Sequence, residues 1–190
     1  MIDLLELPGF LDPPERDALL AELRGVAGAA ALVYGRSAEG SVDARVRRVT
    51  RLAVAPETRE RVRRRLLDRR GELEAHFGVA LADCEPPQFL RYETGDFFVA
   101  HQDGNTPLVH DDTRFRKLSV VLFLSAPSTE PAPDTYGGGA LVFHGPFNGP
   151  PLRIPVTPPP GTLVGFRAET THEVVPVTHG ERYTVVAWLR

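Results

Sequence analysis

The chain has 190 residues, which fits one domain with room for a sizeable buried core. Its 42% hydrophobic and 25% charged residues are ordinary for a globular protein, and a formal net charge of −3 offers no general attraction to nucleic acid or an anionic membrane. A single cysteine, Cys84, excludes an intrachain disulfide framework, and no apolar stretch is long enough to cross a bilayer.

Met1-Ile2-Asp3-Leu4-Leu5-Glu6 lacks the basic start and long apolar run of a secretion signal, so a cytoplasmic protein is expected. Asp12 before Pro13-Pro14-Glu15 reads as an N-cap, with proline in the first turn and an acid at the positive helix end, and predicts a helix through Leu19, Leu20 and Leu23. Ala31-Leu32-Val33-Tyr34 and Val46-Arg47-Arg48-Val49-Thr50 are short strand candidates. A second helix is predicted from Pro56-Glu57-Thr58, with Val62, Leu66, Leu67, Leu73 and Phe77 on its apolar side and Gly71 as a place to bend. The arginines at 61, 63, 64, 65, 69 and 70 are interleaved with Glu57, Glu60, Asp68, Glu72 and Glu74. That mixture describes a solvated face laced with i,i+4 ion pairs better than a nucleic-acid surface.

Beyond residue 88 the chain turns β-rich. Phe97-Phe98-Val99-Ala100 reads as a strand leading into His101-Gln102-Asp103, where residues i and i+2 project to one side and Gln102 points away. Gly104, Asn105 and Pro107 end it. His110-Asp111-Asp112 repeats the H-x-D form inside a polar loop and reads as a solvated turn. The loop from Gly104 to Phe115 and the stretch from Ser125 to Gly139 are candidate substrate-contacting lids, and Pro127 to Pro133 and Pro155 to Pro160 read as turns and loop edges. His172 lies in a second β-rich run, Thr170 to Val175, closed by Pro176. Two imidazoles and one carboxylate on one face of a metal leave the opposite face open, the facial arrangement of non-haem Fe(II) enzymes that activate dioxygen.

In Arg182-Tyr183-Thr184-Val185-Val186-Ala187-Trp188-Leu189, strand alternation puts Arg182, Thr184, Val186 and Trp188 on one face. A guanidinium sharing a face with apolar residues and a tryptophan needs an anion to offset its desolvation, which points to a carboxylate ligand. His144 and His179 are expected to be peripheral, and His76 has no evident partner in the sequence.

The blocks Tyr92 to Asp103, Arg116 to Ser125, Gly138 to Phe143, Pro160 to Phe166, and His172 to Val177 through Gly180-Glu181-Arg182-Tyr183 resemble the prolyl 4-hydroxylase-like Fe(II)/2-oxoglutarate dioxygenases in order and spacing. The resemblance covers most of residues 88 to 190. It implies a mainly β fold with flanking helices, a double-stranded β-helix or jelly roll, in one domain over 1–190. Residues 1–87 would form a helical buttress with the first strands and residues 88–190 the catalytic core. It further implies Fe(II) held by His101, Asp103 and His172, with Arg182 on the distal carboxylate of 2-oxoglutarate and Tyr92 and Ser119 lining the co-substrate pocket. Phe123 departs from relatives that place a tyrosine there, which removes one hydrogen bond to the co-substrate.

The implied reaction consumes O2 and 2-oxoglutarate, with ascorbate as a reductant, and hydroxylates an unactivated C–H with release of succinate and CO2. No side chain beyond the metal centre is needed for the chemistry. Trp188 is a candidate wall of the substrate pocket. A prolyl residue in a peptide or protein is the substrate favoured by the resemblance, with a free amino acid or small metabolite, or a non-catalytic jelly-roll binding module, as alternatives. Oxidative nucleic-acid demethylases share the ligands but repeat an arginine six positions after the first, where this chain has Trp188.

Overall fold

The computed structural model describes residues 2–31, 43–104, 112–145 and 152–190. All but Ala31 of the strand expected over Ala31 to Tyr34, the His110-Asp111 pair and most of the loop after Gly104 lie outside them. The chain opens with β1 (Leu4–Leu7) and α1 (Pro13–Arg24), then β2 (Gly28–Ala30), β3 (Arg47–Arg48), β4 (Thr50–Leu52), α2 (Pro56–Asp68) and α3 (Arg70–Phe77). From there it is nearly all strand: β5 (Gln88–Tyr92), β6 (Phe97–His101), a 3-10 turn at Asp112–Phe115, β7 (Leu118–Phe123), β8 (Ala126–Pro127), β9 (Thr135–Gly138) and β10 (Leu141–His144). β11 (Arg153–Val156), β12 (Leu163–Arg167), β13 (His172–Val174), β14 (Val177–Gly180) and β15 (Arg182–Leu189) complete it.

A seven-stranded sheet of order β1-β12-β7-β15-β5-β4-β2 faces a five-stranded sheet of order β11-β10-β13-β6-β3. One apolar layer fills the space between them, with Tyr92, Val121, Phe123 and Phe166 from the first meeting Leu141, Phe143, Val156 and Val174 from the second. This is the jelly roll with flanking helices that the sequence led us to expect. A second layer joins the outer face of the large sheet to the helices: Leu118, Val120, Leu122 and Leu124 alternate with the inward set and pack on Leu23, Leu66, Leu73 and Phe77. Covered on both faces, β7 is buried along its whole length and apolar at every position except Ser119, rather than alternating. β15 splits the same way, sending Tyr183, Val185, Ala187 and Leu189 to the helices and leaving Arg182, Thr184, Val186 and Trp188 on the barrel side.

α1 starts as its capping sequence requires. The Asp12 carboxylate accepts from Glu15 N at 2.8 Å and the Glu15 side chain accepts from Asp12 N at 3.2 Å, a reciprocal cap worth about 1 kcal/mol. The second predicted helix is two. The break falls at Arg69 (φ −96°, ψ 5°) rather than at Gly71, which lies inside the first turn of α3. The arginine face behaves as anticipated, with Arg64 on Glu60 at 3.0 Å and Arg69 on Glu72 at 2.5 Å. Arg61 reaches Glu22 and Arg65 reaches Glu15, so part of that face also ties α2 to α1. His76, without an evident partner in the sequence, meets Asp3 at 2.9 Å.

Two proline assignments are corrected. Pro155 lies inside β11 and Pro127 inside β8, both edge strands, where a missing N–H costs no ladder bond. The stretch from Ser125 to Gly139 is likewise more than a connection: β8 pairs with β9, and β9 with β14, as a third sheet at one end of the barrel.

Beside the end of β15, where Glu85 N donates to Trp188 O, Glu85 takes Arg116 on both carboxylate oxygens, at 2.9 and 2.7 Å, and Arg190 on one of them at 2.8 Å. Burial alone would raise the Glu85 pKa, but the two guanidinium groups outweigh it and hold the carboxyl below its ordinary value. A carboxylate depressed in the folded state contributes stability above its unfolded pKa and loses it as pH falls through the folded one. We therefore expect Glu85→Gln to cost about 3 kcal/mol at neutral pH. The gap between wild type and variant should close as both are acidified below about pH 4. Urea unfolding across pH measures it, and a constant gap would show that the pair stabilises through packing alone.

Candidate active site

His101 ends β6 and His172 begins β13, and the two are direct cross-strand partners. The next matched pair is Val174 with Phe98, so β6 carries one extra residue between them, a bulge at which Val99 and Ala100 turn outward. The chain then leaves the strand. Asp103 N donates to Ala168 O at 2.9 Å and Gln102 Nε2 donates to Glu169 O at 2.7 Å, anchoring the tripeptide to the turn before β13 with Gln102 directed away. Phe98 stacks on the His101 ring with centroids 3.5 Å apart, and Phe166 meets the His172 ring edge-on at 4.7 Å.

Both imidazoles are fixed in one tautomer. His101 Nδ1 lies 2.9 Å from Val99 O and His172 Nδ1 lies 2.9 Å from Thr170 O. Carbonyl oxygens only accept, so each Nδ1 carries a proton, which in the neutral imidazole leaves the Nε2 lone pair facing inward. His101 Nε2 is 3.5 Å from one Asp103 oxygen and His172 Nε2 is 3.5 Å from the other. The three donor atoms all lie within 4.8 Å of one another. An octahedral ion with bonds of about 2.1 Å at right angles separates adjacent donors by about 3 Å, so little movement would close this set on a metal.

The electrostatics suit a cation. Burial pushes the His172 imidazole down to about 4, aided by neighbouring His101, so it stays neutral and able to ligate. Burial would push the Asp103 carboxyl up, but the neighbouring His172 and His101 imidazoles and the hydrogen bond from Ser119 hold it well below the ordinary carboxylate range. Ser119 Oγ donates to Asp103 Oδ2 at 2.7 Å, so the residue expected in the co-substrate pocket braces the carboxylate here. Arg116 Nη1 donates to Asp103 O at 3.0 Å, adding the Glu85 network as a further brace that the sequence did not reveal. The Arg116 guanidinium also lies 3.8 Å from the Trp188 ring centroid, and Trp188 pairs with Ser119 across β15 and β7.

Arg182 opens β15 opposite Tyr92 and is 1% exposed. Its guanidinium carbon lies 5.1 Å from the ring centroids of both Tyr92 and Phe123. Nη1 makes one long bond to Thr184 Oγ1 at 3.4 Å, whereas Nε and Nη2 are buried and have no hydrogen-bond partner among the described residues. A buried guanidinium so placed has two nitrogens open to pairing with an anion. The donor set and this cation together fit a divalent metal and a carboxylate-bearing co-substrate.

The sequence profile of the 2OG-Fe(II) oxygenase superfamily matches residues 87–190. The chain belongs to that superfamily. It is 32% identical over 189 residues to a PKHD-type hydroxylase of Paracoccus denitrificans, covering 97% of this chain and 77% of the relative. Among solved structures it is similar to a Pseudomonas putida prolyl-4-hydroxylase, with a TM-score of 0.71, 25% identity, and 100% and 93% of the two chains covered. The fold is shared with a Trichoplax adhaerens prolyl hydroxylase solved in complex with a hypoxia inducible factor peptide fragment, at a TM-score of 0.69 and 17% identity over 100% and 84% of the chains. The protein is thus a prolyl 4-hydroxylase-like 2-oxoglutarate-dependent dioxygenase, and its oxygenase chemistry uses Fe(II), 2-oxoglutarate and O2. No helix among the described residues of this oxygenase is long and apolar enough to cross a membrane.

Proposed function

We propose that this oxygenase hydroxylates a prolyl residue of a peptide or protein, with His101, Asp103 and His172 holding the iron and Arg182 receiving the distal carboxylate of 2-oxoglutarate. The observation that carries the reading is a three-donor set beside a buried guanidinium with two unpartnered nitrogens. Bound iron, with 2-oxoglutarate and O2, supplies an oxidant able to convert an unactivated C–H to C–OH while the co-substrate leaves as succinate and CO2.

The protein's own side chains set the geometry for that chemistry. Protons held on Nδ1 by Val99 O and Thr170 O keep both Nε2 atoms free, and Ser119 and Arg116 hold Asp103 from its carboxylate and its carbonyl. Tyr92 and Phe123 sheath Arg182 from water, which strengthens its pairing with a carboxylate. Trp188, under the Arg116 guanidinium and on the barrel side of β15, forms a wall for the prime substrate. Likeness to the Pseudomonas putida prolyl-4-hydroxylase over nearly the whole of both chains supports proline as the target.

The purified protein, given Fe(II) anaerobically and then air and 2-oxoglutarate, should form succinate slowly. A prolyl peptide should accelerate this and gain one oxygen atom by mass spectrometry, and His101→Ala should abolish both. Succinate formation that free amino acids stimulate and prolyl peptides do not would replace the peptide reading with a small-molecule one.

A further inference from the structure

We propose that Tyr136 is a second ligand for the distal carboxylate of 2-oxoglutarate, supplying the phenol hydrogen bond that Phe123 lacks. This rests on the co-substrate reading given above. Tyr136 lies in β9, 1% exposed, and its hydroxyl is buried without a hydrogen-bond partner among the described residues. It is opposite Gly180 in the β9–β14 pair, two residues before Arg182, so the third sheet carries it to the start of β15. Gly139 marks how near the two side chains are. A Cβ at that glycine would stand 2.9 Å from Arg182 Cδ and 3.3 Å from Tyr136 Cε2. Both side chains close on one face of a residue held at φ 58°, a conformation that itself favours glycine.

Orphaned donors of two kinds therefore meet in one buried region: Nε and Nη2 of Arg182, and the phenol of Tyr136. A hydroxyl stripped of water with nothing in return is disfavoured unless a ligand completes it, and a dicarboxylate reaching Arg182 has lone pairs for both. Phe123 lies 5.1 Å from the same guanidinium and offers only a ring face. Tyr92, on the strand facing Arg182, contacts the guanidinium through its ring.

Calorimetric binding with Mn(II) in place of iron isolates this contact without turnover. The probes are 2-oxoglutarate and 2-oxopentanoate, which has the same carbon chain with a methyl group in place of the distal carboxylate. Tyr136→Phe should weaken 2-oxoglutarate by about 10-fold to 100-fold, the range of one hydrogen bond to a charged group. It should leave 2-oxopentanoate unchanged, and Phe123→Tyr added to it should restore most of the loss. Equal weakening of both probes would mean a packing role and overturn the proposal. So would unchanged 2-oxoglutarate affinity in Tyr136→Phe alongside a large loss in Arg182→Ala, which leaves the co-substrate reading standing. A wild-type protein that binds Mn(II) but not 2-oxoglutarate would bring down both.

Discussion

Replacing Arg182 by methionine should make the ligand-free protein harder to unfold while removing its use of 2-oxoglutarate. The guanidinium is 1% exposed and its Nε and Nη2 have no partner among the described residues, so its desolvation is offset only by the long bond to Thr184 and the faces of Tyr92 and Phe123. Methionine keeps the stem and its packing and discards the charge. We expect a gain on the order of 1 to 2 kcal/mol in urea unfolding, because unpaired buried ions cost several kcal/mol and the rings return only part of that. The same change would remove the charge-assisted pair proposed with the co-substrate, so affinity for 2-oxoglutarate should fall by at least about 100-fold in calorimetry. Stability and ligand binding moving in opposite directions marks a site held at a cost for function. A methionine variant less stable than wild type would instead make Arg182 a structural residue, already compensated within the fold.

The parts legible in the sequence are those set by local periodicity and by chemistry carried in one short segment. Alternation along β15 put Arg182 and Trp188 on the barrel side, and the i,i+2 spacing brought His101 and Asp103 together with Gln102 turned away. The Asp12 cap could be read because both of its partners lie within one turn. What escaped depends on register between distant strands. The extra residue in β6 is defined only by its pairing with β13, and nothing in Phe97 to His101 announces it. β8 and β9 read as a loop because Pro127, Pro131 and Pro133 dominate the segment, and β9 is a strand only through its pairing with β8 and the distant β14. Tyr136 and Glu85 are silent in the sequence for the same reason, since the role proposed for Tyr136 and the ion pairs of Glu85 depend on Arg182, Arg116 and Arg190, neighbours that no local pattern records. The helix break at Arg69 shows the converse, a glycine at 71 that drew attention from the true bend two residues earlier.

Asp103→Asn is expected to remove metal binding with little change to the surrounding backbone, because the amide is nearly the shape of the carboxylate. Its main-chain bonds to Ala168 O and from Arg116 do not involve the side chain. The side chain itself lies between two imidazole Nε2 atoms at 3.5 Å and is the set's one carboxylate. An amide would supply one neutral oxygen, and an N–H2 that can turn toward an imidazole lone pair and occupy it. Since loss of a mere supporting hydrogen bond costs about 10-fold to 100-fold in metal affinity, loss of the ligand charge should exceed about 100-fold. Ser119→Ala sets the scale from within the same site. It removes only the 2.7 Å bond to Asp103 Oδ2, and should weaken Mn(II) binding by about 10-fold while leaving succinate formation recoverable at high iron. Added iron should not recover Asp103→Asn. If calorimetry gave the asparagine variant a metal affinity within a few-fold of wild type, the cation would have to be held elsewhere, and the assignment of His101, Asp103 and His172 would fall with it.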